Sequence, residues 1–125
     1  MTENELAKIV VDFCLKIHKT LGPGLLESVY ERCLAYELEK RGLHVARQVP
    51  VAIRYDNIQI EAGFRMDLVV DQAIVVEIKS IDRLLPVHEA QLLTYLKLSG
   101  YRLGLLINFF VPRLKEGLRR IVHSR

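Results

Sequence analysis

Two apolar runs constrain this chain more than any other feature: Met66-Asp67-Leu68-Val69-Val70 and Ala73-Ile74-Val75-Val76-Glu77-Ile78, separated by Asp71-Gln72. They are apolar at consecutive rather than alternate positions, the pattern of strands covered on both faces, and Asp71-Gln72 reads as a tight turn between them. A chain with two such strands has to place helices on both sides of one sheet. Asp67 and Glu77, with Lys79 two positions further on, therefore carry charge where an ordinary core has no use for it.

The flanking segments supply the covering layers. Leu6, Ile9, Val10, Phe13 and Ile17 fall on one helical face, predicting a first helix from about Glu3 to Thr20, which Leu21-Gly22-Pro23-Gly24 interrupts. Leu26, Val29, Tyr30, Cys33, Leu34 and Leu38 restore the helical period until Gly42. From His44 the pattern changes to alternation at Val45, Val49, Val51, Ile53 and Tyr55; Asp56-Asn57 turns the chain and Ile58 and Ile60 resume it, predicting a hairpin. Pro86 opens a third helix with Leu92, Leu93 and Leu96 as its core face and Gly100 as its stop. Leu103 to Phe110 reads as a buried strand, and Pro112 to His123 as a short basic helix. The order predicts an α/β fold with a central mixed β-sheet flanked by helices on both faces, the third helix being a crossover that makes the last strand parallel to an earlier one. A length of 125 residues suits one core, so a single domain over 1–125 is expected.

Other classes are disfavoured. No apolar run is long enough to span a bilayer and the first residues lack the pattern of a secretion signal, which points to the cytoplasm. Cys14 and Cys33 lie far apart in helical stretches and read as reduced, buried thiols. The net charge of +3, from 18 basic and 15 acidic residues, does not by itself indicate nucleic-acid binding. Arg113, Lys115, Arg119, Arg120 and Arg125 concentrate near the end and fit either phosphate contacts or a solvated face; Arg47, Arg54 and Arg65 are equally open.

Side chains two apart on a strand share a face, so Glu77 and Lys79 point one way while Val76 and Ile78 point the other. The turn at Asp71-Gln72 brings Asp67 onto the neighbouring strand, so two carboxylates and an ammonium can converge. Like charges buried together repel, and a bound cation offsets the repulsion; all-oxygen ligands favour Mg²⁺ or Mn²⁺ over Zn²⁺. Such an ion polarises a phosphodiester and activates water, with Lys79 beside it. Glu77 and Lys79 also fit a plain salt bridge where a strand leaves the core.

Two further clusters bear on this choice. Gly24-Leu25-Leu26-Glu27-Ser28-Val29-Tyr30 puts Glu27 and Tyr30 on one helical face, and Gln91 and Tyr95 stack four apart. Taken alone, Glu27 fits a surface acid favoured by the helix dipole, and Tyr30 fits a core tyrosine. With these residues the chain resembles the GxxExxY family of the PD-(D/E)XK nuclease superfamily, from about Ile9 to Ile121. The resemblance implies a restriction-endonuclease-like core and a divalent-metal-dependent nuclease acting on DNA. In it Glu27, Asp67 and Glu77 bind the metal, Lys79 is the catalytic lysine, and Gln91 and Tyr95, matching the Q-x-x-x-Y element of RecB-like exonuclease domains, position the substrate backbone. Met66 stands where the superfamily's proline precedes the aspartate, and the cysteine clusters that bind iron and sulfur in some RecB-like nucleases are absent. The alternatives are an inactive nuclease-fold module binding nucleic acid or a protein partner, and a homodimeric assembly subunit.

Overall fold

The computed structural model describes residues 1–124; of the terminal basic residues, Arg125 lies outside the described part. Helix α1 (Glu3–Leu21) starts on Thr2, whose hydroxyl accepts the Glu5 N–H, and α2 (Glu27–Lys40) follows the Gly22-Pro23-Gly24 break. Strands β1 (Val45–Pro50), β4 (Arg65–Val70), β5 (Ile74–Lys79), β6 (Leu103–Asn108) and β7 (Leu118–Val122) form one sheet in the order β1-β4-β5-β6-β7. Among the described residues only β5 and β6 run parallel, joined through α3 (Pro86–Ser99) as the crossover expectation requires. The β4–β5 turn places Asp71 and Gln72 at positive φ (51° and 52°), the requirement of a type I′ hairpin.

Helices cover both faces. Leu6, Val10, Cys14, Tyr30, Leu34 and Leu38 from α1 and α2 pack on Leu68, Val70, Ile74, Val76, Leu105 and Ile107. A smaller core joins Leu92, Tyr95 and Leu96 of α3 to Met66, Val69, Val75 and Leu106 on the other face. The two thiols are free, and burial drives Cys14 far above the usual thiol range. No helix among the described residues is long and apolar enough to cross a membrane.

Four local expectations need correction. The segment Pro112–His123 is not a helix: a 3₁₀ turn at Leu114–Gly117 leads into β7, which pairs antiparallel with β6 (Leu118 opposite Ile107, Ile121 opposite Gly104). The free edge of β6 offers a ladder that outweighs a weak helical period, and Gly117 permits the approach, since a Cβ there would lie 2.3 Å from the Asn108 carbonyl oxygen. The alternating stretch after His44 is two strands: β1 joins the main sheet, while β2 (Ile53–Tyr55) and β3 (Ile58–Ile60) form a separate exposed hairpin turned at Asp56. On α2, Leu26 and Val29 are exposed, Leu26 preceding the first turn, and Cys33 packs only half-buried against the core; on α3, Leu93 faces outward and Tyr95 takes the core position expected of it.

Candidate active site

The regular ladder between β4 and β5 pairs Val70 with Ile74, Val69 with Val75 and Leu68 with Val76, and then stops. The next opposed positions are Asp67 and Glu77, where side chains take over from the ladder. The Asp67 N–H donates to Glu77 Oε2 at 2.9 Å, and the Ile78 N–H donates to Asp67 Oδ2 at 2.8 Å. Each carboxylate is thus fixed by the other strand's backbone. The same level is irregular on the other side, where the β1–β4 pairing runs through Arg47–Leu68 and Val49–Met66 but skips Gln48 and Asp67. Alternation breaks there: Met66 packs into the α3-side core although Leu68, two residues on, packs into the opposite one.

Glu77 is 6% exposed. Burial, and then the neighbouring charge of Asp67, push its carboxyl up to about 9, with the positive charge of Lys79 pulling weakly the other way. Lys79 is half-buried on the same face of β5, and its carbonyl accepts the Phe109 N–H at 2.8 Å. Tyr95 is buried beneath α3, and its hydroxyl is held above the usual tyrosine range by burial and then by the charges of Glu77 and Asp67, so it lies within their field. Gln91 is half-buried one helical turn before Tyr95. Sequence reasoning and structure therefore agree in bringing Asp67, Glu77, Lys79 and Tyr95 to one region.

Glu27 is placed differently. It is exposed at the start of α2, and its Oε2 accepts the Ser80 N–H at 3.0 Å, just past the end of β5. Ser80 Oγ in turn donates to the Leu25 carbonyl at 2.6 Å. The Tyr30 hydroxyl donates to the Gly22 carbonyl at 2.6 Å and accepts the Leu25 N–H at 3.1 Å, while its ring stacks on Phe109 at 4.2 Å. Glu27 and Tyr30, through Gly22, Leu25 and Ser80, thus belong to a clamp that fixes the α1–α2 loop containing Gly24 to the strand end carrying Lys79. Among the described residues no three His, Cys, Asp or Glu side chains are grouped closely enough to hold a metal ion together, so the trio of Glu27, Asp67 and Glu77 expected from the sequence does not meet. The physical reason is the competing backbone amide of Ser80, which holds the Glu27 carboxylate.

Three residues of this region, Glu31, Gln48 and Asn108, escaped the sequence reading. Glu31, 6% exposed one turn below Glu27, accepts at Oε2 from Arg47 Nε (3.1 Å) and Nη2 (2.9 Å) and at Oε1 from Gln48 Nε2 (2.8 Å). Gln48 Nε2 also reaches Asp67 Oδ1 at 3.4 Å. Asn108, buried at the end of β6, accepts at Oδ1 from Ile81 and Phe110 and donates from Nδ2 to the Ile81 carbonyl, which fixes the loop after Lys79. A glutamate beside the Tyr30-Leu34-Leu38 stripe and a lone asparagine ending an apolar strand were the available signals.

The donor set suits a hard divalent cation. It consists of oxygens, one of them on a buried carboxyl that burial and a like charge keep from ionising alone, which is the situation a doubly charged ion relieves. Two carboxylates suffice for an ion such as Mg²⁺ that keeps several waters.

Comparison with known proteins adds one finding. No curated protein and no solved structure matches the chain. A family model for the PD-(D/E)XK nuclease superfamily matches residues 4–121, nearly the whole chain, and the mixed sheet with helices on both faces is the restriction-endonuclease-like architecture of that superfamily. Its members' name and chemistry imply nuclease activity, a nucleic-acid partner and, in general, a divalent metal. On the match over this length, with opposed strand carboxylates followed by a lysine, the chain belongs to the PD-(D/E)XK nuclease superfamily.

Proposed function

We propose that the protein is a divalent-metal-dependent deoxyribonuclease that hydrolyses phosphodiester bonds in DNA, with Asp67 and Glu77 holding Mg²⁺ or Mn²⁺. The observation that carries this reading is the opposed carboxylate pair at the broken end of the β4–β5 ladder, with Lys79 on the same face as Glu77. A bound hard cation supplies polarisation of the phosphodiester and a more acidic water. Lys79 contributes a fixed positive charge beside the carboxylates, suited to orienting the attacking water and to stabilising negative charge that develops on the phosphate. Gln91 and Tyr95 on α3 flank the same region and would hold the substrate backbone. Glu27 secures the strand end behind Lys79, and it would reach the ion only by releasing the Ser80 amide. We further assign the chain to the GxxExxY group with a Q-x-x-x-Y element, as one nuclease-like domain over 1–125 working in the cytoplasm.

The test is cleavage of single- and double-stranded DNA by the purified protein with Mg²⁺ or Mn²⁺, beside Glu77→Ala and Lys79→Ala. Metal-dependent cleavage by the wild type and its loss in both variants is expected. Equal cleavage by all three, or none by the wild type with either metal, would overturn the proposal.

A second reading rests on a different surface. A groove of about 540 Å³ between α1 and α2 is lined by the apolar side chains of Ile17, Leu21, Val29, Cys33 and Tyr36 together with Thr20 and the charged Lys16, Arg32 and Glu37, and Tyr36 is 62% exposed. Such a surface favours a non-catalytic module that binds a protein partner or a second copy of the chain. Light scattering on the purified protein, alongside the cleavage assay, separates a dimeric nuclease from an inactive dimer.

A further inference from the structure

Gln48 stands out on three independent counts. It is a non-glycine residue at φ 52°, in the left-handed region, within a strand whose other residues are extended. Such backbone persists only where its surroundings hold it, and it gathers at functional sites. It occupies the one position of β1 that the β1–β4 pairing skips, opposite Asp67, and the alternation of β1 breaks there: Ala46 and Val49 both pack toward the α3 side although they lie three positions apart, which regular alternation would place on opposite faces. Its side-chain amide has two N–H groups and its nitrogen lies within reach of two carboxylates, Glu31 Oε1 at 2.8 Å and Asp67 Oδ1 at 3.4 Å.

These facts form a chain of support. Glu31 is buried, and Arg47 donates two hydrogen bonds to its Oε2, so the acceptor that anchors the Gln48 amide is itself held by two charge-assisted bonds. The left-handed backbone at Gln48 lets one side chain reach both the acid on α2 and the acid on β4. Asp67 is then held from two directions, by Ile78 N–H at Oδ2 on the β5 side and by Gln48 at Oδ1 on the β1 side. The bond to Asp67 is the longer of the two that Gln48 makes, which orients Oδ1 while leaving it capacity to accept a cation. A neutral amide suits this place, because a third carboxylate there would repel both neighbours and a lysine would compete with the metal for Asp67.

We infer that Gln48, anchored by Glu31 and Arg47, is a positioning residue that orients the Asp67 carboxylate for metal binding. The inference rests on the proposed role of Asp67 as a metal ligand. Residues that orient a ligand from behind are worth about 10- to 100-fold in metal affinity. Gln48 touches no reacting atom; it acts through Asp67.

The test is Mn²⁺ binding to the full chain, read from the free-ion electron paramagnetic resonance signal, in wild type, Asp67→Ala, Gln48→Gly and Gln48→Asn, with a thermal melt of each metal-free protein. Gly and Asn both tolerate positive φ, so the two substitutions remove the reach of the amide while sparing the backbone. The expected result is Mn²⁺ binding by wild type that Asp67→Ala abolishes, weakened about 10- to 100-fold in both Gln48 variants, with a metal-free melting temperature for Gln48→Gly no lower than wild type. Unchanged Mn²⁺ affinity in the Gln48 variants, whatever their melting temperatures, would show a merely structural residue and overturn the inference while leaving the metal site standing. Should one variant fail to fold, the other decides. Absence of Asp67-dependent Mn²⁺ binding in the wild type overturns the metal-site reading itself, and the inference with it.

Discussion

The two halves of the β1-β4-β5 unit are built on opposite principles. In one half, Val45 to Arg47, Leu68 to Val70 and Ile74 to Val76 pair in an unbroken ladder, and Leu68, Val70, Ile74 and Val76 are fully buried. In the other, beginning one residue away, the ladder is skipped at Gln48 and Asp67, a left-handed residue appears, and carboxylates accept the amides that strand carbonyls would otherwise take. The regular half stabilises the fold by burial. The irregular half opposes it, since Glu77 is held in surroundings that resist its ionisation. A few residues of perfect sheet thus support an adjoining site that could not persist alone.

The contrast predicts opposite outcomes for substitutions only a few residues apart. Asp67→Ala or Glu77→Ala should lower metal-dependent cleavage by at least about 10³-fold, the several kcal/mol that a bound cation contributes, while metal-free stability falls by no more than about 1–3 kcal/mol, the cost of one strand amide left without its acceptor; a larger fall in stability with cleavage intact would reverse the assignment of the two halves. Leu68→Ala should do the reverse, costing about 2–5 kcal/mol of stability in a denaturant titration through the cavity it leaves, with cleavage per folded molecule close to wild type.

The pH dependence sharpens the comparison further. The folded chain keeps the Glu77 proton to about pH 9, whereas an unfolded glutamate releases it near its ordinary 4.5, so between those values the folded state binds more protons. Stability of the metal-free protein should therefore fall as pH rises from about 5 to 9. Glu77→Gln should flatten that fall in thermal melts, and Mn²⁺ should restore wild-type stability at the high end, displacing the proton as it binds. A fall of equal size in Glu77→Gln would remove Glu77 as its cause.

The smallest effect concerns the support of the irregular half from outside. Tyr30→Phe deletes the hydroxyl that joins the Gly22 carbonyl to the Leu25 amide but keeps the ring stacked on Phe109. A loss of about 1 kcal/mol in denaturant unfolding is expected, with a modest drop in cleavage transmitted through Leu25, Ser80 and the end of β5. No change in either would detach the clamp from the site.

How far the site was legible depended on whether its residues report on themselves locally. Asp67, Glu77 and Lys79 could be found because charge inside doubly apolar strands is anomalous by itself. Tyr95 could be found by its spacing from Gln91 and also fits a core tyrosine, but that it would displace Leu93 from the core could not be seen. Glu27 was recognisable as an acid in a first helical turn, but its partner, the Ser80 amide, lies 53 residues away and leaves no mark on the sequence around it. Gln48 was invisible for the same reason: an exposed glutamine in an alternating strand is ordinary until the fold sets it against Asp67, whereas Glu31 left only the faint mark of an acid beside a core stripe.

Sequence by itself determined the element types wherever the period of apolar residues was strong. It specified two helices before the strands, the β4–β5 hairpin with its turn at Asp71-Gln72, the α3 crossover and the parallel placement of β6, because burial on one or both faces writes a repeat of about 3.6 or 2 into the chain. Only the tertiary structure decided that Leu118–Val122 becomes a strand, that β1 leaves β2 to pair with β4, and that Glu27 binds a backbone amide and stays apart from the carboxylate pair. Those outcomes turn on which hydrogen-bonding groups remain free once the core has formed, and that inventory exists only in the folded molecule.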